Sequence, residues 1–160
     1  MDYASIKVFT NTNLTLAMIV PVIVGGLFGP LPAALACGLG NCLADLIGGW
    51  GMWFNWSIGN ACLGFFVGCL KLYGADIENG VFTPKQMIIY ILIAIFGNAL
   101  AFGVITPIFS TLLYQSELTI EFMQSLTGGV SNTAVLVIAG IPILKALAAR
   151  NAKATNLTKE

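Results

Sequence analysis

Long apolar runs, each interrupted by isolated prolines, glycines or asparagines, set the pattern of this chain. Five apolar runs predict helical segments, the first of them short, kinked or partly re-entrant. The first, Leu14 to Gly29, is broken by Pro21 and the Gly25–Gly26 pair; as a helix its sixteen residues rise about 24 Å, short of the roughly 30 Å hydrocarbon core. The second spans Leu31 to Ile47, the third about Phe54 to Leu72, and the fourth about Met87 to Leu113. The fifth runs from about Phe122 to Ala149 and is interrupted by "SLTGGVSN". The one clear polar connector is "YGADIENGVFTPK", Tyr73 to Lys85, in which Pro84 suits the first turn of the helix that follows. The pattern predicts an all-α, polytopic membrane bundle of five helical segments over residues 14–149. A polar segment (1–13) precedes the bundle and a basic tail (150–160) follows it.

Composition strengthens this reading. Of 160 residues, 58% are hydrophobic and 9% charged, with a mean hydropathy of +0.89; a soluble domain carries about 25% charged residues. Formal net charge is zero and histidine is absent, so neither a nucleic-acid footprint nor a histidine-based metal site or triad is available. No basic run precedes an apolar core at the N-terminus, as a cleavable signal would require. Cys37, Cys42, Cys62 and Cys69 all fall in apolar runs without a CxxC and read as small hydrophobes.

The charges also suggest an orientation. Lys71, Lys85, Lys145, Arg150, Lys153 and Lys159 flank segment ends, and placing them in the cytoplasm gives one consistent topology. Tyr73–Lys85 and the C-terminus are then cytoplasmic, while "DLIGGWGMWFNW", "YQSELTIE" and the N-terminus lie outside. Lys7 is the mild exception.

Asp45 is the acidic residue that stands inside the strongly apolar region, and Asn41 precedes it by four residues, on the same helical face. A carboxylate at the bilayer centre costs at least about 2.5–3.5 kcal/mol, so Asp45 belongs near the outer end of its helix, as a hydrated helix end or as part of a pocket rim. Asn41, Asn55 and Asn132 are candidate ligand groups, with Asn60 and Asn98 as alternatives. Each amide must find a partner that lipid does not supply. Trp50 and Trp53 fit an interfacial belt or the wall of a pocket for a planar solute. Small residues four apart, including Gly25/Gly29, Ala34/Gly38 and Asn60/Gly64/Gly68, permit close helix packing. Gly38, Gly64 and Gly68 are therefore assigned to packing, and Gly29–Pro30 to a corner. No catalytic set and no phosphate-binding loop emerges, so the expectation is a non-enzyme without a cofactor or metal.

The segment "PVIVGGLFGPLPAALACGLGNCLADLIGG", Pro21 to Gly49, resembles the substrate-binding S components of energy-coupling factor (ECF) transporters: a short helix, a "GP" corner, then a small-residue helix ending in an aspartate. "FNWSIGNACLGFFVGCLKLYG" and "GVSNTAVLVIAGIPILKALAAR" resemble the following helix and the last helix of that family. The resemblance implies that these five segments correspond to helices two to six of a six-helix fold, with the first unmatched, as though a preceding helix were missing. It also implies a specificity subunit that binds a small organic micronutrient, a vitamin or precursor, from outside. Such a subunit would act with a membrane scaffold subunit and two cytoplasmic ATPases, toppling in the membrane to release its solute. A stand-alone or oligomeric facilitator, or a structural membrane subunit, is the alternative reading.

Overall fold

The computed structural model describes residues 5–9, 12–49 and 51–157. Two antiparallel strands come first, β1 (Ser5–Phe9) and β2 (Thr12–Thr15), with Ile6 opposite Leu14 and Lys7 opposite Asn13. Helices follow: α1 (Ile19–Phe28), α2 (Pro30–Gly48), α3 (Phe54–Gly68), α4 (Pro84–Leu100), α5 (Thr106–Tyr114), α6 (Leu118–Ile138) and α7 (Gly140–Leu157). They group into five segments. A π-helical turn, Ala101–Ile105, makes α4 and α5 continuous over Pro84–Tyr114. Helices α6 and α7 form a second long rod, and among the described residues three segments, Pro30–Gly48, Pro84–Tyr114 and Leu118–Ala154, are long and apolar enough to cross a membrane.

One boundary differs from the sequence expectation. The first apolar run reads as helical from Leu14, but α1 begins at Ile19 after a short 3-10 turn at Leu16–Met18. Thr12 and Thr15 favour extended backbone, and pairing with β1 satisfies peptide groups that a lone turn of helix would leave open. The ten residues of α1 rise only about 15 Å, roughly half the bilayer core.

Local chemistry explains the other junctions. Gly29, with φ of 88°, turns α1 into α2, and Pro30 then supplies the fixed φ of a first helical position. Gly49 closes α2 in the left-handed conformation, φ 70°. Thr83 and Gln86 form a capping box ahead of Pro84, the Thr83 amide donating to Gln86 Oε1 at 2.6 Å. Pro107 lacks an amide and would press its ring on the carbonyl of residue 103, and the helix widens into its π turn just before it. There the Thr106 hydroxyl donates to Ala101 O at 2.9 Å. Pro142 acts similarly, and the break at Ala139 separates α6 from α7.

The chain runs up and down, leaving two distinct ends. At one lie the α1–α2 corner, the 74–83 connector and the end of α7. There Lys71 donates to Leu27 O at 2.7 Å and pairs with Glu78 at 3.3 Å, and Asn151 donates to Ile77 O at 3.0 Å. The amide of Asn79 holds the Asp76 carboxyl below the usual carboxylate range. At the other end lie the 49–53 loop and the 115–117 turn, and β2 rests against α6. The apolar core (Val22, Leu63, Val67, Tyr90, Phe102, Leu136 and Leu144 among others) fills the centre, where Tyr90 donates to Leu136 O at 2.9 Å.

Candidate functional site

Polar side chains concentrate at the end that carries the 49–53 loop. They form two groups, one at the seam between α2 and α3 and one deeper, between α3, α5 and α6.

The seam begins with backbone proximity. A Cβ on Gly64 would stand 2.5 Å from Ala33 O and 2.9 Å from Cys37 Sγ, and one on Gly38 would stand 2.9 Å from Ala61 Cβ. Gly68 lies against the backbone of Gly29 and Pro30. With the helices this close, short side chains can span them. Asn41 Nδ2 donates to Asp45 Oδ2 at 3.2 Å and to Ser57 Oγ at 3.1 Å, while Asn41 Oδ1 accepts from Asn60 Nδ2 at 3.0 Å. Asn60 also donates to Trp56 O at 3.0 Å, and Cys42 donates to Ser57 Oγ at 3.1 Å. Asp45, 8% exposed, accepts the Trp53 amide at 3.2 Å and so ties the end of the loop back to α2. Tyr114 holds the loop from the other side. Its hydroxyl accepts the Phe54 amide at 2.9 Å and donates to Met52 O at 3.2 Å, with its ring 5.0 Å from that of Trp53.

The second group is buried and incompletely bonded. Asn55 is 0% exposed, and neither its Nδ2 nor its Oδ1 has a partner among the described residues. Ser125 on α6 is likewise fully buried with an unpartnered hydroxyl. Gly59, a turn after Asn55, packs on Thr106 and Phe102; Gly129, a turn after Ser125, would place a Cβ 3.2 Å from Phe102 Cβ. Thr106 and Ser110, both on α5, are also buried. Asn132 and Ser131 are buried further along α6.

The candidate residues therefore separate. Asn41 and Asp45 are brought together as their spacing implies, in the seam, and Trp53 is attached to them through its backbone while its ring is exposed. Asn55 and Asn132 lie on other helices, inside the bundle. Trp50 lies outside the described residues. Ser57, Tyr114 and Ser125 were not singled out from the sequence. Ser57 and Asn60 stand on the α2-facing side of α3, a pattern visible in retrospect, whereas a tyrosine at the end of α5 gives no such signal. The four cysteines are free and half-buried. Apart from the Asp45 carboxylate in the seam, the buried polar side chains named here are amides and hydroxyls, and each open one costs about 1–3 kcal/mol until something bonds it. Such a set suits a neutral, hydrogen-bonding solute.

Comparison with known proteins bears on that chemistry. Residues 1–149 match the family model described as the S component of the ECF-type riboflavin transporter. A UPF0397 protein of Aliivibrio fischeri (strain MJ11) is 36% identical over 155 residues, covering 96% of this chain and 84% of the relative. One from Vibrio vulnificus (strain YJ016) is 35% identical, covering 96% and 85%. One from Streptococcus pneumoniae (strain Hungary19A-6) is 32% identical over 150 residues, covering 94% and 82%. No solved structure matches the chain.

Proposed function

The chain belongs to the S-component family of ECF-type riboflavin transporters, and on that premise we propose that it binds a planar, polar vitamin at the end bearing the 49–53 loop. It is a multi-pass membrane protein of a transporter family, a specificity subunit and not an enzyme. In the proposed reading the solute enters from outside, and the 74–83 connector and C-terminus face the cytoplasm. Energy comes from a membrane scaffold subunit and two ATPases.

The observation that carries the reading is Asn55: a fully buried amide whose donor and acceptor find no partner among the described residues. A flat heterocycle edged with carbonyl and imino groups satisfies both at once. Ser125 and Asn132 are assigned to the same solute from α6. Asn41 and Asp45 act at the rim, holding the tryptophan loop in place, and Trp53 offers an aromatic surface there.

Riboflavin is the first solute to test, because its fluorescence is quenched on stacking or burial. Purified protein titrated into riboflavin should quench it saturably. Asn55→Ala should weaken the affinity about 5- to 150-fold, the value of one lost buried hydrogen-bonding side chain at about 1–3 kcal/mol. Co-expression with the scaffold and ATPase subunits should yield a complex of all four proteins. Equal affinity in parent and variant would remove Asn55 from the site, and no binding of riboflavin or of other planar vitamins would remove the reading. Uptake into liposomes holding this protein alone would favour the stand-alone facilitator.

A further inference from the structure

We infer that Glu121, together with Asp45 and Glu117, makes the mouth of the solute site a filter against anions: it takes neutral or cationic solutes and refuses their phosphate esters. The inference rests on the reading above and narrows the class of solute that the same site accepts. Glu121 stands in the first turn of α6 and is half-buried. Helical spacing sets Glu121, Ser125, Gly128 and Asn132 within about 60° of one another around the axis, as a single stripe. The last three are buried, and the Ser125 hydroxyl has no partner among the described residues. Glu121 continues that stripe toward the 115–117 turn, about 6 Å along the axis from Ser125. Asp45 approaches from α2. Its Oδ2 accepts the Trp53 amide at 3.2 Å, two residues before the unpartnered amide of Asn55. Glu117, exposed in the 115–117 turn, lies three residues beyond Tyr114, which grips the 49–53 loop at Phe54 N and Met52 O.

Among the described residues none of these three carboxylates is in an ion pair; the pair that forms is Lys71 with Glu78, at 3.3 Å, beside the 74–83 connector. Lys85 opens α4 directly after that connector. The end of α7, with Arg150 and Lys153, lies against it, through Asn151 donating to Ile77 O at 3.0 Å and through Gly80 packed on Ala152. Before Lys71 the sequence has one basic residue, Lys7 on β1. Ordinary causes do not account for the arrangement. A helix dipole favours Glu121 in the first turn of α6 but opposes Asp45 in the last turn of α2. The bias that places lysines on the cytoplasmic side does not call for acids on the other, since Asp and Glu contribute little to it. Carboxylates set over buried amides and hydroxyls, between low-dielectric walls, focus a negative potential at the entrance. A phosphate monoester, with a charge of about −1.5 to −2 at pH 7, meets that potential with no cation to pair. A neutral solute does not feel it, and a cation is drawn in.

The test uses the full-length protein purified in mild detergent and two measurements. Riboflavin and riboflavin 5′-phosphate share a fluorescent ring and differ by the phosphate, so quenching titrations compare them directly. The phosphate should bind at least tenfold more weakly. Glu121→Gln should bring the ratio of the two dissociation constants toward one. So should raising the ionic strength from about 0.01 to 0.15 M, which shortens the Debye length from about 30 to 8 Å. Equal affinities in the parent overturn the inference. So does a ratio that neither Glu121→Gln nor salt moves, which marks exclusion by size. The second measurement needs no solute. Met52→Cys, in a cysteine-free background, places a thiol on the exposed loop between the carboxylates. Relative to a free thiol, it should react at least fivefold faster with a cationic than with an anionic methanethiosulfonate, and Glu117→Gln with Glu121→Gln should reduce that preference. Absence of the preference overturns the filter even where riboflavin binds. A preference of that size without riboflavin binding upholds the filter and removes the flavin reading instead.

Discussion

Replacing Asn55 by leucine should move stability and affinity in opposite directions. The side chain is fully buried, and neither polar atom has a partner among the described residues. Each unmade bond costs about 1–3 kcal/mol, and an apolar group of similar size removes the cost. Asn55→Leu should then stabilise the ligand-free protein by roughly 2 kcal/mol or more, raising the Tm by about 4–8 °C at roughly 2–4 °C per kcal/mol. The same change removes the groups assigned to the solute and should cost binding about 5- to 150-fold. Thermal unfolding in detergent, followed by tryptophan fluorescence with and without ligand, reads both effects. The control is Asn41→Leu, which breaks three hydrogen bonds at the α2–α3 seam and should lower the Tm. If Asn55→Leu lowers the Tm as Asn41→Leu does, the Asn55 amide is already bonded in the free protein, and the reasoning that assigns it to a ligand fails.

Three further outcomes follow from the geometry. Gly64→Ala sets a Cβ 2.5 Å from Ala33 O, so α2 must retreat by about 1 Å at a cost of about 1–3 kcal/mol, whereas Gly40→Ala meets nothing and should be neutral or gain up to about 1 kcal/mol; equal melting temperatures would contradict the packing. Tyr114→Phe keeps the ring beside Trp53 but removes both hydroxyl bonds, so hydrogen exchange at the Phe54 amide should accelerate while the bundle core stays protected. Single cysteines at Asn79 and Gln115, in a cysteine-free background, should label from opposite sides of the membrane; labelling of both from outside would reverse the proposed topology.

Much of the architecture was legible because it follows from local chemistry. The apolar runs mark the five segments, Pro84 marks a start that its capping box completes, and the four-residue spacing of Asn41 and Asp45 anticipates their contact at 3.2 Å. The hairpin was not legible. Leu14 to Met18 reads as the beginning of a helix, and only pairing with β1 makes Thr12–Thr15 a strand. The division of the asparagines was hidden for a related reason. Asn41 and Asn55 look alike in sequence, both set in apolar runs near helix ends, yet one is saturated with bonds and the other open. That difference depends on which helix stands opposite, as does the role of Tyr114, sixty residues from the amide it accepts.

The α2–α3 seam has a consequence for biogenesis. Its polar bonds join residues only 15 to 19 apart in sequence, and its glycine contacts lie between Gly29 and Gly68. Nothing synthesised after Gly68 is needed to close it. The pair can therefore zip together while the ribosome is still making α4, and the later rods assemble against a finished surface. Damage at the seam should accordingly show as nascent chains cleared by proteases, whereas damage at Asn55 should leave a full-length, correctly inserted protein with an idle site.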